Sequence, residues 1–334
     1  MRRALPAAKL AGVALGVLLV CFLPRFVSDY RASQLALVGV YFIAILGLNI
    51  LTGYTGQISL GHGAFMAIGG YTTAILVVKH DVTDLWTIPV AGLVAGAFGF
   101  AFGIPALRLS GLYLSLATFA VAVATPSVLK KFAGLTGGSK GLQLFGHAGY
   151  TGKGYKPVDV AVKHVSFNHW LYYLSWVTAG VLLLVAWLFL RGRMGRAFRA
   201  VRDSEVAATS SGVHLASTKT LAFAISAAYA GVAGSLYALA NTFVNPDTFP
   251  ITLSIYLLVG VVVAGLGSLV GIAAGAVFVQ FLPIWAQDVS KRPGLPAVIY
   301  GAVLILIMFA LPTGAAGLLR RLFKPLTSRL YTRS

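Results

Sequence analysis

Hydrogen-bonding side chains alternate with glycines in the stretch LTGYTGQISLGHGAF, Leu51–Phe65. Among these side chains are Thr55, Gln57, Ser59 and His62, and the stretch contains four glycines. With no carboxylate, lysine or arginine present, the available chemistry is hydrogen bonding to the backbone or to a polar solute. Glycine permits irregular backbone, which persists at membrane depth only where protein or water in a cavity satisfies its N–H and C=O groups. The stretch therefore predicts either a broken helix that lines a solute path or a glycine-rich turn at the cytoplasmic face.

A second compact signal consists of Asp203, Glu205, Ala207, Ala208 and Gly212. Asp203 is a suitable N-cap, and Glu205 falls in the first turn, where the helix dipole favours negative charge. Gly212 suits the position just after a helix end, so these residues predict a helix of about two turns. The small alanine side chains would let a partner's surface close over this helix. A docking helix is therefore favoured over a plain connection.

Several kinds of chemistry are absent from the sequence. Apart from histidine, no ionisable residue sits in the middle of an apolar run, whereas proton- or sodium-driven carriers usually bury a carboxylate there at a cost of about 2.5–3.5 kcal/mol. The nearest match to a phosphate-binding loop, His147–Gly154, lacks the required Gly at its start and Ser or Thr at its end. The single cysteine, Cys21, excludes an internal disulfide and a Cys-based metal site. We expect no catalytic residue, no metal, no cofactor bound by this chain, and a driving force from elsewhere.

The composition explains where these segments must sit. Of the 334 residues, 58% are hydrophobic and only 10% are charged, whereas soluble proteins carry about 25% charged residues. Apolar runs recur at the length of about 17–25 residues that crosses a bilayer as a helix. A net charge of +18 would suggest nucleic acid for a soluble protein. Here the basic residues cluster at the ends of apolar runs, which orients a protein in the lipid bilayer instead.

We predict an all-α integral membrane protein, a single transmembrane domain over residues 1–334 with about ten transmembrane helices, the broken glycine-rich segment and the docking helix. The predicted spans are 8–24, 32–51, 62–79, 86–107, 111–129, 169–190, 219–240, 251–268, 271–288 and 296–312. The first span resembles a signal peptide but lacks a suitable cleavage site, so we expect it to be retained. The distribution of basic residues favours cytoplasmic termini, an extracytoplasmic loop at 130–168, a cytoplasmic segment at 191–218 and a basic cytoplasmic tail at 313–334.

Glycines four residues apart predict close helix packing. They occur as Gly92-x-x-x-Gly96 and as Gly267-x-x-x-Gly271-x-x-x-Gly275. This spacing puts the glycines on one face of a helix, where a missing side chain lets another backbone approach.

Three segments in order carry a family resemblance. Residues 48–76 resemble a signature of the membrane subunits of branched-chain amino acid (Liv-type) ABC importers, and residues 195–238 resemble a second, with the core E-x-A-A-x-x-x-G from Glu205 to Gly212. Residues 261–279 are similar to a third. The stretch Thr209-Ser210-Ser211 departs from the larger, more charged residues expected inside that core, so detailed ATPase contacts do not carry over.

The resemblance implies a permease in the bacterial cytoplasmic (inner) membrane. Such a permease forms a heterodimer with a second related permease, and two ATP-binding subunits hold ATP-Mg. An extracytoplasmic binding protein delivers the substrate, and no nucleic acid is involved. The segment from Glu205 to Gly212 would correspond to the coupling helix that seats in an ATPase groove, and the loop 130–168 could touch the binding protein.

The uncharged spans favour a zwitterionic amino acid with an aliphatic side chain. Backbone groups, hydroxyls, amides and half-helix ends would meet its carboxylate and ammonium groups, while Leu, Val and Ile residues would contact its side chain. Urea or short amides are the alternative, because related permeases carry them. Two other classes remain: an ATPase-independent secondary carrier, which needs an ion site, and a structural or receptor-like membrane protein, which needs no broken span.

Overall fold

The computed structural model of the chain describes residues 20, 22–82, 85–106, 109, 111–145, 166–289, 292, 294–310 and 314–318. The predicted first span at 8–24 and the basic tail at 313–334 lie largely outside the described residues, as does the middle of the loop 130–168.

The described residues form an almost entirely helical molecule. Its helices are α1 (Asp29–Asn49), α2 (His62–His80), α3 (Thr87–Ala106), α4 (Leu112–Lys131), α5 (Ala133–Thr136), α6 (Phe167–Arg191), α7 (Arg193–Asp203), α8 (Glu205–Ser210), α9 (Leu215–Asn241), α10 (Ile251–Ala264), α11 (Ile272–Val289) and α12 (Leu295–Ala310). Two short strands, β1 (Leu142–Gln143) and β2 (Phe243–Val244), pair antiparallel. The all-α class predicted from the sequence is confirmed for these residues.

A helix stands at each predicted span from residue 32 onward. Seven helical segments are long and apolar enough to cross a membrane by length and composition: Asp29–Tyr54, Thr87–Pro105, Leu112–Lys131, Phe167–Arg191, Leu215–Asn241, Pro246–Ala264 and Ile272–Val289. The helix α2 and the shorter apolar Leu295–Ile307 occupy two further predicted spans. The predicted span 251–268 ends early, at Ala264, because Gly265 and Gly267 have φ of 96° and 71°, which no α-helix accommodates.

The longest helix, α9, forms the centre of the molecule and packs against α2 and α3. Its buried face is rich in alanine and glycine, so neighbouring backbones come close. A Cβ added at Gly92 of α3 would lie 2.8 Å from a methyl of Val232, and one at Gly96 would lie 3.1 Å from the Cβ of Ala228. The predicted Gly92/Gly96 pair thus lies on the side of α3 that contacts α9.

The three glycines 267, 271 and 275 do not share one helix, which corrects the prediction made from their spacing. Gly267 lies in the turn after α10 and Gly271 precedes α11, so only Gly275 is helical. Their small size still serves close packing, because a Cβ at Gly271 would overlap the carbonyl of Ala264 and one at Gly275 would overlap that of Gly260. The glycines therefore bring the consecutive helices α10 and α11 together.

Contacts between connecting segments divide the molecule into two ends. At one end, here called the strand end, β1 follows α4 and pairs with β2, which follows α9. Lys130 lies 3.3 Å from Asp247 there, and Ser166 donates a hydrogen bond of 2.7 Å to Asp29. The opposite end, here called the α8 end, joins the turns that follow α1 and α10 to the helix α7, which follows α6. The helices α1, α6 and α10 therefore run from the strand end to the α8 end, and α4 and α9 end at the strand end.

The sides of the molecule between these two ends expose large apolar side chains. They include Leu93, Phe98, Leu116, Val181, Leu188 and Phe309, each more than half exposed. Apolar surface of this extent is unfavourable in water and is typical of helices that face lipid.

Candidate functional site

The first functional element is the break between α1 and α2. Ile50–Tyr54 form a π-helical turn, and Gly56 has a φ of 72°, which favours glycine. Hydrogen bonds inside the segment replace those of a regular helix: the Gln57 nitrogen donates to the Leu51 carbonyl at 3.2 Å, and the Thr52 hydroxyl donates to the Gln57 carbonyl at 3.1 Å. The predicted broken segment is therefore present and is stabilised largely by its own polar groups.

The four predicted path residues all lie in or beside this break. The Thr55 hydroxyl donates to the carbonyl of Leu51, and the Gln57 amide donates to Thr55 at 3.1 Å. Ser59 Oγ accepts a hydrogen bond of 3.3 Å from the Gly61 nitrogen. His62 Nε2 lies 2.9 Å from the carbonyl of Ala44. A carbonyl only accepts, so the Nε2 of His62 carries the hydrogen. In this structure these groups stabilise the broken backbone, and their contact with a solute stays a prediction.

A second break, between α10 and α11, contacts the first. The side chain of Asn49 is fully buried; its amide nitrogen donates to the Ser268 carbonyl at 3.0 Å, and its oxygen accepts from the Gly267 nitrogen at 2.9 Å. A Cβ at Gly53 would overlap the Gly267 backbone, so the two breaks pack directly on each other. We did not predict Asn49 from the sequence, although a lone amide at the end of the apolar span 32–51 is a signal of its own.

Hydroxyl groups from two other helices support the first break. Thr118 of α4 accepts from the Leu60 nitrogen at 2.9 Å, and Ser115 donates to the Ile58 carbonyl at 3.2 Å. From α10, Ser254 accepts from the Gly63 nitrogen at 2.9 Å. Unpaired backbone groups at membrane depth would cost several kcal/mol each, on the order of 2–7 kcal/mol. The break is thus held by neutral side chains from α4 and α10.

The short helix predicted from Asp203 to Gly212 is present as α8, with one correction at its start, and its docking role stays a prediction. Its N-cap is Ser204, whose hydroxyl accepts from the Ala207 nitrogen at 3.3 Å, whereas Asp203 is the last residue of α7. Ser204 has the extended backbone of a cap, while the carboxylate of Asp203 accepts hydrogen bonds from its neighbour Arg202. At the other end, Gly212 has a φ of 80° and follows the helix as expected.

One side of α8 packs on the molecule and the other is exposed. Ala208 is buried, and Glu205 lies 2.7 Å from Lys219 at the start of α9. Ala207 is exposed, and Val206 exposes 79% of its surface. A short helix with a buried anchor and an exposed apolar side chain has the form expected of a docking element.

A cleft opens at the strand end between α1, α9 and α10. It has a volume of about 490 Å³ and is lined by Tyr41, Tyr237, Asn241, Phe243, Asp247, Thr248, Pro250, Thr252, Leu253 and Tyr256. One carboxylate, several hydroxyl groups and apolar rings thus face the same space. The volume lies within the range of about 300–1,000 Å³ that small-molecule sites occupy. We did not predict this cleft from the sequence, because its walls come from helices separated by some two hundred residues in the chain.

Comparison with known proteins assigns the chain to a family. Residues 30–308 match a family described as "Branched-chain amino acid transport system / permease component". The chain is 33% identical over 327 residues to the high-affinity branched-chain amino acid transport system permease protein LivM of Escherichia coli (strain K12), covering 92% of this chain and 74% of the relative. It is 23% identical over 300 residues to LivH of Salmonella typhimurium, covering 83% and 91%, respectively.

An archaeal relative extends the comparison. The probable branched-chain amino acid transport permease protein LivM of Methanocaldococcus jannaschii is 23% identical over 331 residues, covering 83% of this chain and 90% of the relative. No solved structure matches the chain. The family comprises transport permeases rather than enzymes, which agrees with the apolar helices of a multi-pass membrane protein. This chain belongs to the family of permease components of branched-chain amino acid transport systems.

Proposed function

We propose that this chain is the permease subunit of an ABC importer that moves branched-chain amino acids across the bacterial inner membrane. The observation that carries the proposal is the family match over residues 30–308, which includes both breaks and α8. ATP hydrolysis on two partner subunits would supply the driving force, and a second, related permease would complete the path. A binding protein outside the membrane would deliver the substrate.

The chemistry of the two breaks supports a zwitterionic substrate. The polar side chains that belong to the two breaks are hydroxyls, amides and a histidine, so the breaks themselves contribute no carboxylate to a path beside them. Such groups can form hydrogen bonds with a carboxylate and then with an ammonium group, and they bind neither as tightly as an opposite charge would. This favours a short amino acid that travels as a zwitterion.

The cleft at the strand end supports the same substrate class. Asp247 could meet an ammonium group, while Tyr256 offers a hydroxyl to a carboxylate. The rings of Tyr41 and Tyr237, with centroids 6.1 Å apart, provide apolar surface for an aliphatic side chain. We assign the strand end to the extracytoplasmic side, where substrate enters, and the α8 end and both termini to the cytoplasm.

The exposed side of α8 is the proposed docking surface for an ATP-binding subunit. Val206 would enter the groove of that subunit, and Ala207 would allow its surface to come close. Ala208 and the Glu205–Lys219 pair would hold α8 to the permease, so that movement of the ATP-binding subunits reaches the membrane helices.

Uptake by whole cells tests the substrate assignment. A strain in which the gene is deleted would be complemented with the wild-type chain and supplied in parallel with labelled leucine and labelled urea. We expect complementation to restore leucine uptake and to leave urea uptake unchanged, and deletion of the partner ATP-binding subunit to abolish the restored uptake. Restored uptake of urea alone would contradict the amino acid assignment, and leucine uptake without the ATP-binding subunit would favour a secondary carrier.

A further inference from the structure

A single arginine connects the α8 segment to the broken segment after α1. Arg202 lies in the last turn of α7, and its Nη1 donates a hydrogen bond of 3.1 Å to the carbonyl of Gly53. The two residues are 149 positions apart in the chain. This contact is a direct polar link between the segment that leads into α8 and the π-helical turn.

The carbonyl of Gly53 is available because the helix ends there. In a continuing α-helix it would accept from the nitrogen of Gln57. That nitrogen instead donates to Leu51 at 3.2 Å, so the break leaves the Gly53 carbonyl pointing at a donor outside the segment. A guanidinium carries several N–H groups in a fixed plane, so it can donate a hydrogen bond to this carbonyl without bending the segment.

The remaining N–H groups of Arg202 fix its orientation relative to α8. Its Nε and Nη2 donate to one carboxylate oxygen of Asp203 at 3.0 and 2.9 Å. Asp203 directly precedes Ser204, the N-cap of α8. The guanidinium therefore bridges the residue before α8 and the π-helical turn that follows α1.

The side chain of Arg202 lies against the glycines 53, 56 and 267, which leave room for it because they have no side chains. A Cβ at Gly56 would lie 3.3 Å from the Cγ of Arg202, and a Cβ at Gly267 would lie 3.3 Å from its Nη1. Gly267 belongs to the second break and packs on Gly53. The arginine thus contacts both breaks at the place where they meet.

We propose that Arg202 is a positioning residue that transmits movement of α8 to the two touching breaks, an inference that rests on the proposed function. When ATP-binding subunits displace α8, the Asp203–Arg202 pair moves with it and pulls or releases the Gly53 carbonyl. The break lacks the regular hydrogen bonds of a helix, so it is the element whose conformation such a displacement can change. Arg202 acts through this segment and touches no substrate.

The ratio of transport to ATP hydrolysis tests the inference. The native complex, purified through a tag on this chain and placed in proteoliposomes, would carry Arg202→Ala, Arg202→Lys or the control Arg196→Ala. Arg196 is exposed on the same helix, and its side chain makes no hydrogen bond or ion pair within the described part of the chain. We expect Arg202→Ala to keep the ATP-binding subunits and to hydrolyse ATP, while leucine transported per ATP falls about tenfold.

The other two variants also test the role of Arg202. Arg202→Lys retains the charge but not the planar fork, so we expect a lowered ratio here too, and Arg196→Ala should match the wild type. An unchanged ratio in Arg202→Ala, or loss of the ATP-binding subunits from both Arg202 variants, would overturn the inference. Leucine transport by the wild-type complex without ATP hydrolysis would instead overturn the proposed function, so the two failures are distinguishable.

Discussion

At the scale of residues, neutral polar groups rather than charges organise the centre of this permease. Asn49 is the strongest case, because its buried amide satisfies a donor and an acceptor of the second break while lying at the end of α1. Hydroxyls such as those of Thr118 and Ser254 do the same for the first break. Irregular backbone can therefore exist between apolar helices without a buried charge, which would be more costly.

Removal of the Asn49 amide should destabilise the protein. In Asn49→Leu the Gly267 nitrogen and the Ser268 carbonyl lose their partners, and each unsatisfied buried group costs about 1–3 kcal/mol. We expect a clearly lower temperature of unfolding for the detergent-purified protein. The control Asn241→Ala also removes an amide donor to a carbonyl, but from an exposed position on its own helix, and should change the unfolding temperature little. Equal unfolding temperatures for the two variants would contradict the role given to Asn49.

At the scale of elements, α8 is the proposed docking element, with one side packed on the molecule and the other exposed. Because Glu205 pairs with Lys219, replacing it with lysine would put two ammonium groups together and could unseat the helix itself. Val206 is the better probe, since it is exposed and makes no anchoring contact of that kind. A change at Val206 reports on docking while leaving the attachment of α8 intact.

We therefore predict that Val206→Asp separates the permease from its ATP-binding subunit. An aspartate would carry an unpaired charge into the groove, and hot-spot changes cost about 2 kcal/mol or more, so association should weaken by about tenfold or more. Copurification through a tag on this chain measures the effect. Val270→Asp, at a valine that is 72% exposed in the turn between α10 and α11, is the matched control and should retain the subunit. Retention by both variants would place the docking surface elsewhere.

The sequence predicted the elements better than the contacts between them. Hydropathy and length predict the described helices from residue 32 onward, and the glycines between residues 53 and 63 predict the first break. The spacing of Gly267, Gly271 and Gly275 instead predicts a shared helix face, whereas Gly267 lies in the second break. The cap of α8 was misplaced by one residue, because Asp203 and Ser204 are both good caps and only the backbone decides between them. The contacts of Asn49 with Gly267 and of Arg202 with Gly53 span 218 and 149 residues, so no local pattern could reveal them.

At the scale of the whole molecule, the alternating helices carry two different ends. The strand end has the cleft and the β1–β2 pair, and the α8 end has α8 and both breaks. This division matches a transporter that receives its substrate on one side of the membrane and its driving force on the other. It also makes the orientation of the chain a testable claim.

Cysteine labelling should place the two ends on opposite sides of the membrane. In a Cys21→Ser background, Ser139→Cys at the strand end and Ser210→Cys in α8 introduce one exposed thiol each. In intact spheroplasts a membrane-impermeant maleimide should label position 139 and spare position 210, and permeabilisation should expose both. Labelling of position 210 in sealed spheroplasts would reverse the assigned orientation.

The most direct test of the account is ATP-driven accumulation of leucine in proteoliposomes that enclose ATP. The account predicts that the complex of this chain with its partner permease, ATP-binding subunits and binding protein concentrates labelled leucine inside, and that a non-hydrolysable ATP analogue abolishes accumulation. Uphill accumulation by this chain alone, or accumulation that continues with the analogue, would contradict it.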